Sequence, residues 1–343
     1  MSKIIYYPYI NVPASGWLNQ MLLYWDEVLT IVPRDVIANP TRLDEHTLLL
    51  VQEGLVRQVD PSYVVQAVPS FVPDFQKRMA RLGDAELEAR RLRLSESSMP
   101  LHGDKMGELV RFLTDARLAK RDDYARVWYH VENRTAQEFM GYLASSLASQ
   151  EDDTIPMTDD PAFLSQLASG SFTDSDADAG LGTARLSLLR ELMPVPERPV
   201  SVTALATLKS EHGRELAAFR RTVEAELIKI LSIPDSGHRE RYRGLVVAQL
   251  KDQVVELSDY VRQTTGTRAK LVDVMCGIAE FLEGPVSKIA SVMKEDFGSG
   301  AALPKVSPML WAAYARVKLK LFDLEPEAGM SSHPRYEPSA RYR

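Results

Sequence analysis

The most constraining feature of the chain is its opening stretch, residues 3–33, which reads KIIYYPYINVPASGWLNQMLLYWDEVLTIVP. Residues 3–9 are mostly β-branched or aromatic and favour a strand, and Pro8 fits the end of that strand or a sheet edge. Large apolar side chains then recur at helical spacing over residues 17–25. A second apolar run at residues 28–32 ends at Pro33. The pattern predicts one compact βαβ unit, with its two apolar runs on adjacent strands.

A similar alternation of strand and helix patterns continues to about residue 150. The further strands are predicted at residues 64–68, 98–102 and 124–131, the helices at 44–56, 74–94, 105–119 and 133–147, and a turn at 35–40. Such alternation is typical of an α/β layer or barrel. We therefore expect residues 1–150 to form an α/β domain whose sheet is mainly parallel or barrel-like.

The composition changes after this domain. Residues 151–182 carry eight acidic side chains and no Lys or Arg, and prolines follow at positions 194, 196 and 199. We interpret residues 151–200 as an acidic, Pro-containing linker or loop, although residues 154–158 could add a last short strand. The repeated Asp at 174, 176 and 178 lacks the Gly and Glu positions of an EF-hand, so residues 174–182 are predicted to be mobile and metal-free.

The remaining chain has helical patterns. Residues 201–324 are predicted to form a helical domain with a long antiparallel hairpin, and residues 325–343 a flexible tail. Apolar stripes mark the two hairpin helices: Leu216, Phe219, Val223, Leu227 and Ile230 on the first, and Tyr242, Leu245, Val246, Leu250, Val254, Leu257 and Val261 on the second. Further helices are expected near residues 268–283, 285–296 and 307–322.

Composition limits the classes of function. The 343-residue chain is 45% hydrophobic and 26% charged, with a net charge of −6, which disfavours broad electrostatic binding to nucleic acid. Cys276 is the only cysteine, so a reducing cytoplasm is expected. No apolar run approaches the ~20 residues of a membrane span. No dinucleotide, Walker or helical metal motif is present, so neither a cofactor nor a metal site is predicted from these patterns.

Candidate site residues follow from the predicted strand ends. His102 and Lys105 lie just after a predicted strand and at a helix start, and parallel α/β sheets collect ligands at the carboxyl ends of their strands. Acid–base work or anion binding by these two residues needs nearby carboxylates. The acidic candidates beside predicted strand ends or turns are Asp26, Asp35, Glu132 and Asp159. The alternative is that all six are ordinary polar residues of surface loops.

Several segments carry a resemblance to a known family. The opening YYPYINVP and LLYWDEVLTIVP, together with MPLHGDKM, FMGYLASSLA and IPMTDD, resemble a family of uncharacterised bacterial proteins that is defined as a domain of unknown function. The resemblance covers mainly the first 160 residues. It implies a bacterial intracellular protein, and it supplies no catalytic residue.

Two hypotheses of function remain open at this point. The first is a non-enzymatic interaction or scaffold protein, in which the helical half binds a protein partner or a second copy. Membership of a bacterial defence or mobile-element system would fit the kind of family that the chain resembles. The alternative is an enzyme or small-molecule binder that takes an anionic, phosphate-containing ligand at the strand ends around His102 and Lys105.

Overall fold

The computed structural model describes residues 2–161, 163, 184–185, 187–193, 200–265 and 308–319. These residues fall into two compact units, a first up to residue 163 and a second from residue 184 to 319. The elements of the first unit are, in chain order, β1 (Lys3–Tyr6), α1 (Gly16–Tyr24), β2 (Glu27–Ile31), α2 (Arg34–Ala38), a 3₁₀ turn (Pro40–Arg42), α3 (Glu45–Gln52), β3 (Val56–Val59), α4 (Ser62–Ala67), α5 (Phe71–Ala80), α6 (Asp84–Arg93), β4 (Ser98–His102), α7 (Gly103–Met106), α8 (Leu109–Asp115), β5 (Ala119–Arg121), β6 (Trp128–Glu132), α9 (Asn133–Ala148) and β7 (Thr154–Met157).

The opening stretch forms the predicted βαβ unit. β1 and β2 are adjacent parallel strands, with Ile4 opposite Val28 and Ile5 opposite Leu29. Both strands are almost completely buried because helices cover them, as is usual for parallel strands. The full parallel sheet has the order β3-β2-β1-β7, so β7 pairs with β1. The edge strands β3 and β7 do not pair with each other, so the sheet is open rather than barrel-like.

A second sheet was not predicted. β4, β6 and β5 form an antiparallel sheet in the order β4-β6-β5, with Ser98 opposite Glu132 and His102 opposite Trp128. The turn before β6 is closed by Asp122, whose carboxylate accepts hydrogen bonds from the Tyr124 and Ala125 amides. Those backbone bonds lower the pKa of Asp122 to about 2. The first unit is thus α/β with one parallel and one antiparallel sheet.

Four local predictions are wrong. Residues 64–68 were expected in a strand, but α4 occupies them and the strand lies earlier, in β3. The expected turn at residues 35–40 is mostly helical. The predicted helix at 74–94 is two helices separated at Gly83, and the one at 105–119 is interrupted at Gly107, which has a φ of 53°. Gly107 combines this φ with a ψ of −128°, a conformation that glycine adopts readily and that residues with a Cβ rarely adopt.

Helix α9 joins the two sheets into one core. It packs against β1 and β7 of the parallel sheet and against β4 and β6 of the antiparallel sheet. Phe139, at its centre, lies edge-on to Phe71 and Phe75 with ring centroids 6.4 and 5.5 Å apart. Because α9 contacts both sheets, the two sheets share one hydrophobic core.

The second unit is helical, as predicted. Its labelled elements are α10 (Val202–Glu211), α11 (Gly213–Leu231), α12 (Ser236–Thr265) and α13 (Leu310–Lys318). α11 and α12 pack against each other, and the Tyr242 hydroxyl donates to Glu226 across the pair. The predicted stripe of α11 is fully buried, and so is that of α12 except for Tyr242, which is half-buried, and Leu245, which is exposed.

Some predictions fall outside the described residues. They concern the acidic segment at 174–182, the helices at 268–283 and 285–296, and the tail at 325–343. Among the residues that the structure does describe, no helix combines the length and the apolar character that crossing a bilayer requires.

Candidate functional site

The candidate site lies where β4 ends, beside the carboxyl edge of the parallel sheet. Asp35 follows β2 and stands in the first turn of α2. Pro8 follows β1, and its carbonyl accepts a hydrogen bond of 2.9 Å from Lys105 Nζ. His102 is the last residue of β4, and its Nε2 lies 3.5 Å from Asp35 Oδ1. Residues from both sheets therefore meet at this edge, which is where open α/β sheets usually bind their ligands.

His102 is held firmly by its surroundings. Only 3% of its side chain is exposed, and the Trp128 ring meets the imidazole edge-on with centroids 5.2 Å apart. Its Nδ1 accepts a hydrogen bond from the Asp104 amide at 3.2 Å. Because Nδ1 is an acceptor, a neutral ring carries its hydrogen on Nε2.

The environment keeps this imidazole neutral. Burial lowers the pKa of His102 from its usual value, although the carboxylates of Asp35 and Asp104 oppose that effect. At pH 7 the ring is therefore a neutral group beside two carboxylates.

Two buried polar atoms of the site are left without hydrogen bonds. Asp35 Oδ1 and His102 Nε2 are both inaccessible to solvent, and neither has a hydrogen-bond partner among the described residues. Buried polar atoms are nearly always bonded in folded proteins, and each exception costs about 1–3 kcal/mol. The pair therefore calls for a functional explanation.

Carboxylates dominate the exposed part of the site. The side chains of Asp35 and Asp104 are 39% and 42% exposed, and the other oxygen of Asp35 is bonded to Arg42 Nη1 at 2.5 Å. Asp35, His102 and Asp104 each offer one donor atom, and these atoms lie within 4.8 Å of one another. This trio is a set of residues that could hold a metal ion.

Lys105 is enclosed rather than exposed. Only 2% of the residue is accessible, and its ammonium group reaches the Pro8 carbonyl. Burial lowers the pKa of Lys105 to about 7, because a charged group in an apolar environment loses its hydration. Because this pKa is close to 7, Lys105 is charged in only about half of the molecules at neutral pH.

The structure does not bring every candidate to this site. Asp26 precedes β2, so it lies at the amino edge of the parallel sheet, where its carboxylate accepts from the Ser2 amide. Glu132 is buried at the start of α9, and its carboxylate accepts from the amide and hydroxyl of Thr135. Asp159 does follow the carboxyl end of β7, where it accepts a hydrogen bond of 2.9 Å from the Tyr6 hydroxyl.

Three residues of the site escaped the sequence interpretation: Arg42, Asp104 and Trp128. Only Asp104 had a visible signal, since it stands two positions after His102 in the segment LHGDKM. Arg42 and Trp128 reach the site through contacts between elements that are distant in sequence. A single sequence does not show such contacts.

Comparison with known proteins adds no further candidate. A scan against protein-family models and searches of curated proteins and of solved structures found no match.

Proposed function

We propose that the first unit is an enzyme or small-molecule binder whose ligand occupies the carboxyl edge of the parallel sheet at His102 and Asp35. One observation carries the proposal: His102 Nε2 and Asp35 Oδ1 are buried, unbonded and only 3.5 Å apart. A ligand that bonds to both atoms recovers the free energy that their burial costs. The position agrees with the usual location of ligands in open α/β sheets.

Charge narrows the type of ligand. The solvent-facing groups of the site are the carboxylates of Asp35 and Asp104 and the Arg42 guanidinium that pairs with Asp35. Two carboxylates against one guanidinium repel a bare phosphate. An anionic ligand would therefore enter this site together with a cation that offsets the carboxylate charge.

A thermal-shift screen tests the proposal. Nucleotides and sugar phosphates are added with and without Mg²⁺ to the native chain, His102→Gln and His130→Gln. We expect at least one compound to raise the melting temperature of the native chain and of His130→Gln, but not of His102→Gln. His130 is a suitable control because its Nε2 already pairs with Asp122 at 2.8 Å. An equal stabilisation of all three proteins would place the ligand elsewhere.

A second candidate function is supported by the helical unit. We propose that its α11–α12 pair binds another protein or a second copy of the chain. The supporting observation is that Ile228 and Leu245 are 64% and 71% exposed, and that Leu231 and Val255 on the same two helices are 37% and 43% exposed. Exposed aliphatic side chains are favourable contacts for a protein partner.

Sedimentation velocity of the native chain and of Ile228→Glu with Leu245→Glu tests this second candidate. We expect the native chain to self-associate at micromolar concentration and the double variant to remain monomeric. Since both side chains are exposed, the substitutions should leave the helical circular dichroism unchanged. A native chain that is monomeric over the whole concentration range would exclude the second copy and leave only a different protein as the partner.

A further inference from the structure

We propose that Asp35, His102 and Asp104 bind a single divalent transition-metal ion, such as Mn²⁺ or Zn²⁺, at the site assigned above. The inference rests on the proposed function, since it names the cation that this site takes. Residues from β4, α7 and α2 supply one imidazole and two carboxylates. A ligand set of this composition suits Zn²⁺, Fe²⁺ or Mn²⁺ better than Ca²⁺, which binds oxygen ligands almost exclusively.

The first argument is the separation of the two unbonded atoms. His102 Nε2 and Asp35 Oδ1 are 3.5 Å apart, whereas an N–H···O hydrogen bond is usually about 2.9–3.0 Å long. Two ligands that each lie about 2.1 Å from one ion at a tetrahedral angle are roughly 3.4 Å apart. The spacing therefore fits two ligands of one metal ion better than a direct hydrogen bond.

The second argument is that the trio contains a buried imidazole nitrogen, His102 Nε2, that makes no hydrogen bond to any residue the structure describes. The His102 side chain is almost fully buried, and its Nε2 has no hydrogen-bond partner among the described residues. An ordinary exposed acidic cluster contains no such atom. The pair of His130 and Asp122 shows the contrast, because these side chains make a direct contact of 2.8 Å at the surface.

The third argument is charge. Asp35 and Asp104 bring two negative charges, of which Arg42 neutralises one through its contact with Asp35. A divalent cation more than balances the one negative charge that remains. The same carboxylates would be destabilising neighbours if nothing bound between them.

Metal binding requires a change of tautomer at His102. In the present geometry Nδ1 accepts from the Asp104 amide, so the ring hydrogen is on Nε2. When the Nε2 lone pair bonds to the metal, the hydrogen moves to Nδ1 and the contact with the Asp104 amide breaks. No net proton is released by this exchange. The Asp104 amide resonance should therefore shift when the ion binds.

Isothermal titration calorimetry on EDTA-treated full-length protein tests the inference, with MnCl₂ and ZnCl₂ in separate experiments. We expect one ion per chain, with binding lost in Asp35→Asn and His102→Gln. Asp104→Asn, which replaces one carboxylate ligand by a neutral amide, should weaken binding by at least the roughly 10- to 100-fold that the loss of a partner outside the ligand set costs. The matched controls are His130→Gln and Asp122→Asn, which remove the exposed histidine–aspartate pair and should bind like the native chain.

Two outcomes would overturn the inference. Absence of binding to the native chain by both ions is one, and equal binding by all variants is the other, since it locates the ion away from the trio. Both remain distinguishable from failure of the proposed function. A compound from the thermal-shift screen could raise the melting temperature of the native chain, but not of His102→Gln, in the presence of EDTA. That result would support the ligand site and reject the metal ion.

Discussion

Replacement of Arg90 by Met is expected to lower the free energy of unfolding of the first unit by about 3–5 kcal/mol. Arg90 lies on α6 with only 1% of its side chain exposed. Its guanidinium makes two parallel hydrogen bonds to Glu138 on α9, at 3.0 and 2.8 Å, and a further one of 2.9 Å to Glu86. Without Arg90, the largely buried Glu138 loses its main cationic partner, and a buried charge without compensation is strongly destabilising.

Hydrogen exchange of the slowest amides in β1 and β2 measures this loss, because those strands are in the core of the first unit. Arg111→Met is the matched control: Arg111 also pairs with a carboxylate on its own helix, but it is 91% exposed, so a change within about 0.5 kcal/mol is expected. The double variant Arg90→Met with Glu138→Leu should regain part of the loss. If Arg90→Met and Arg111→Met behave alike, the buried pair contributes no more than a surface pair.

Replacement of Lys105 by Met is expected to change how stability depends on pH. In the folded chain, burial lowers the pKa of Lys105 to about 7, whereas in the unfolded chain it is about 10.4. Between these values the unfolded chain binds more protons, so the stability of the native chain rises with pH. The free-energy cost of burying the charged Lys105 side chain is fully present below pH 7 and disappears above pH ~10.4.

The stability of the native chain relative to Lys105→Met should therefore increase by up to about 1.4 kcal/mol per pH unit between pH 7 and pH 9.5. Urea unfolding of both proteins in the presence of EDTA, at half-unit pH steps, gives this difference. Other titrating groups contribute to both proteins and cancel. Lys77→Met, which removes an exposed lysine, should run parallel to the native chain. Parallel pH curves for Lys105→Met and the native chain would show that Lys105 is solvated in solution.

Local patterns were sufficient for the parts of the fold that depend on neighbouring residues. The pattern of residues 3–33 predicted the βαβ unit correctly, because apolar strands and an intervening helix follow each other directly in the sequence. The apolar stripe of α11 was predicted for the same reason. The local pattern of residues 64–68 was misleading, because a short apolar run fits a strand or a buried helix equally well. In the folded chain these residues belong to α4 and its end.

The candidate site could be predicted only in part. His102, Lys105 and Asp35 were found through the rule that ligands gather at the carboxyl ends of parallel strands. Glu132 was included by the same rule. Because β6 is antiparallel to β4, however, Glu132 lies beside Ser98 at the start of β4, whereas His102 is at the end of that strand. Strand direction depends on contacts between distant segments, and a single sequence does not contain that information. The closeness of His102 to Asp35 is a contact of this kind.

The tautomer of the His102 ring shows whether His102 Nε2 binds a ligand at the carboxyl edge of the parallel sheet. Protein labelled with ¹⁵N-histidine has six histidines, and His102→Gln identifies the resonances of His102 in a two-bond ¹H–¹⁵N correlation spectrum. We expect a neutral Nε2–H ring at pH 7 in the presence of EDTA, and a change to the Nδ1–H tautomer when Zn²⁺ is added in excess over EDTA. The change should be absent in Asp35→Asn. A His102 spectrum that stays the same under saturating Zn²⁺, or a ring already charged at pH 7, would show that His102 Nε2 is not a metal ligand of this site.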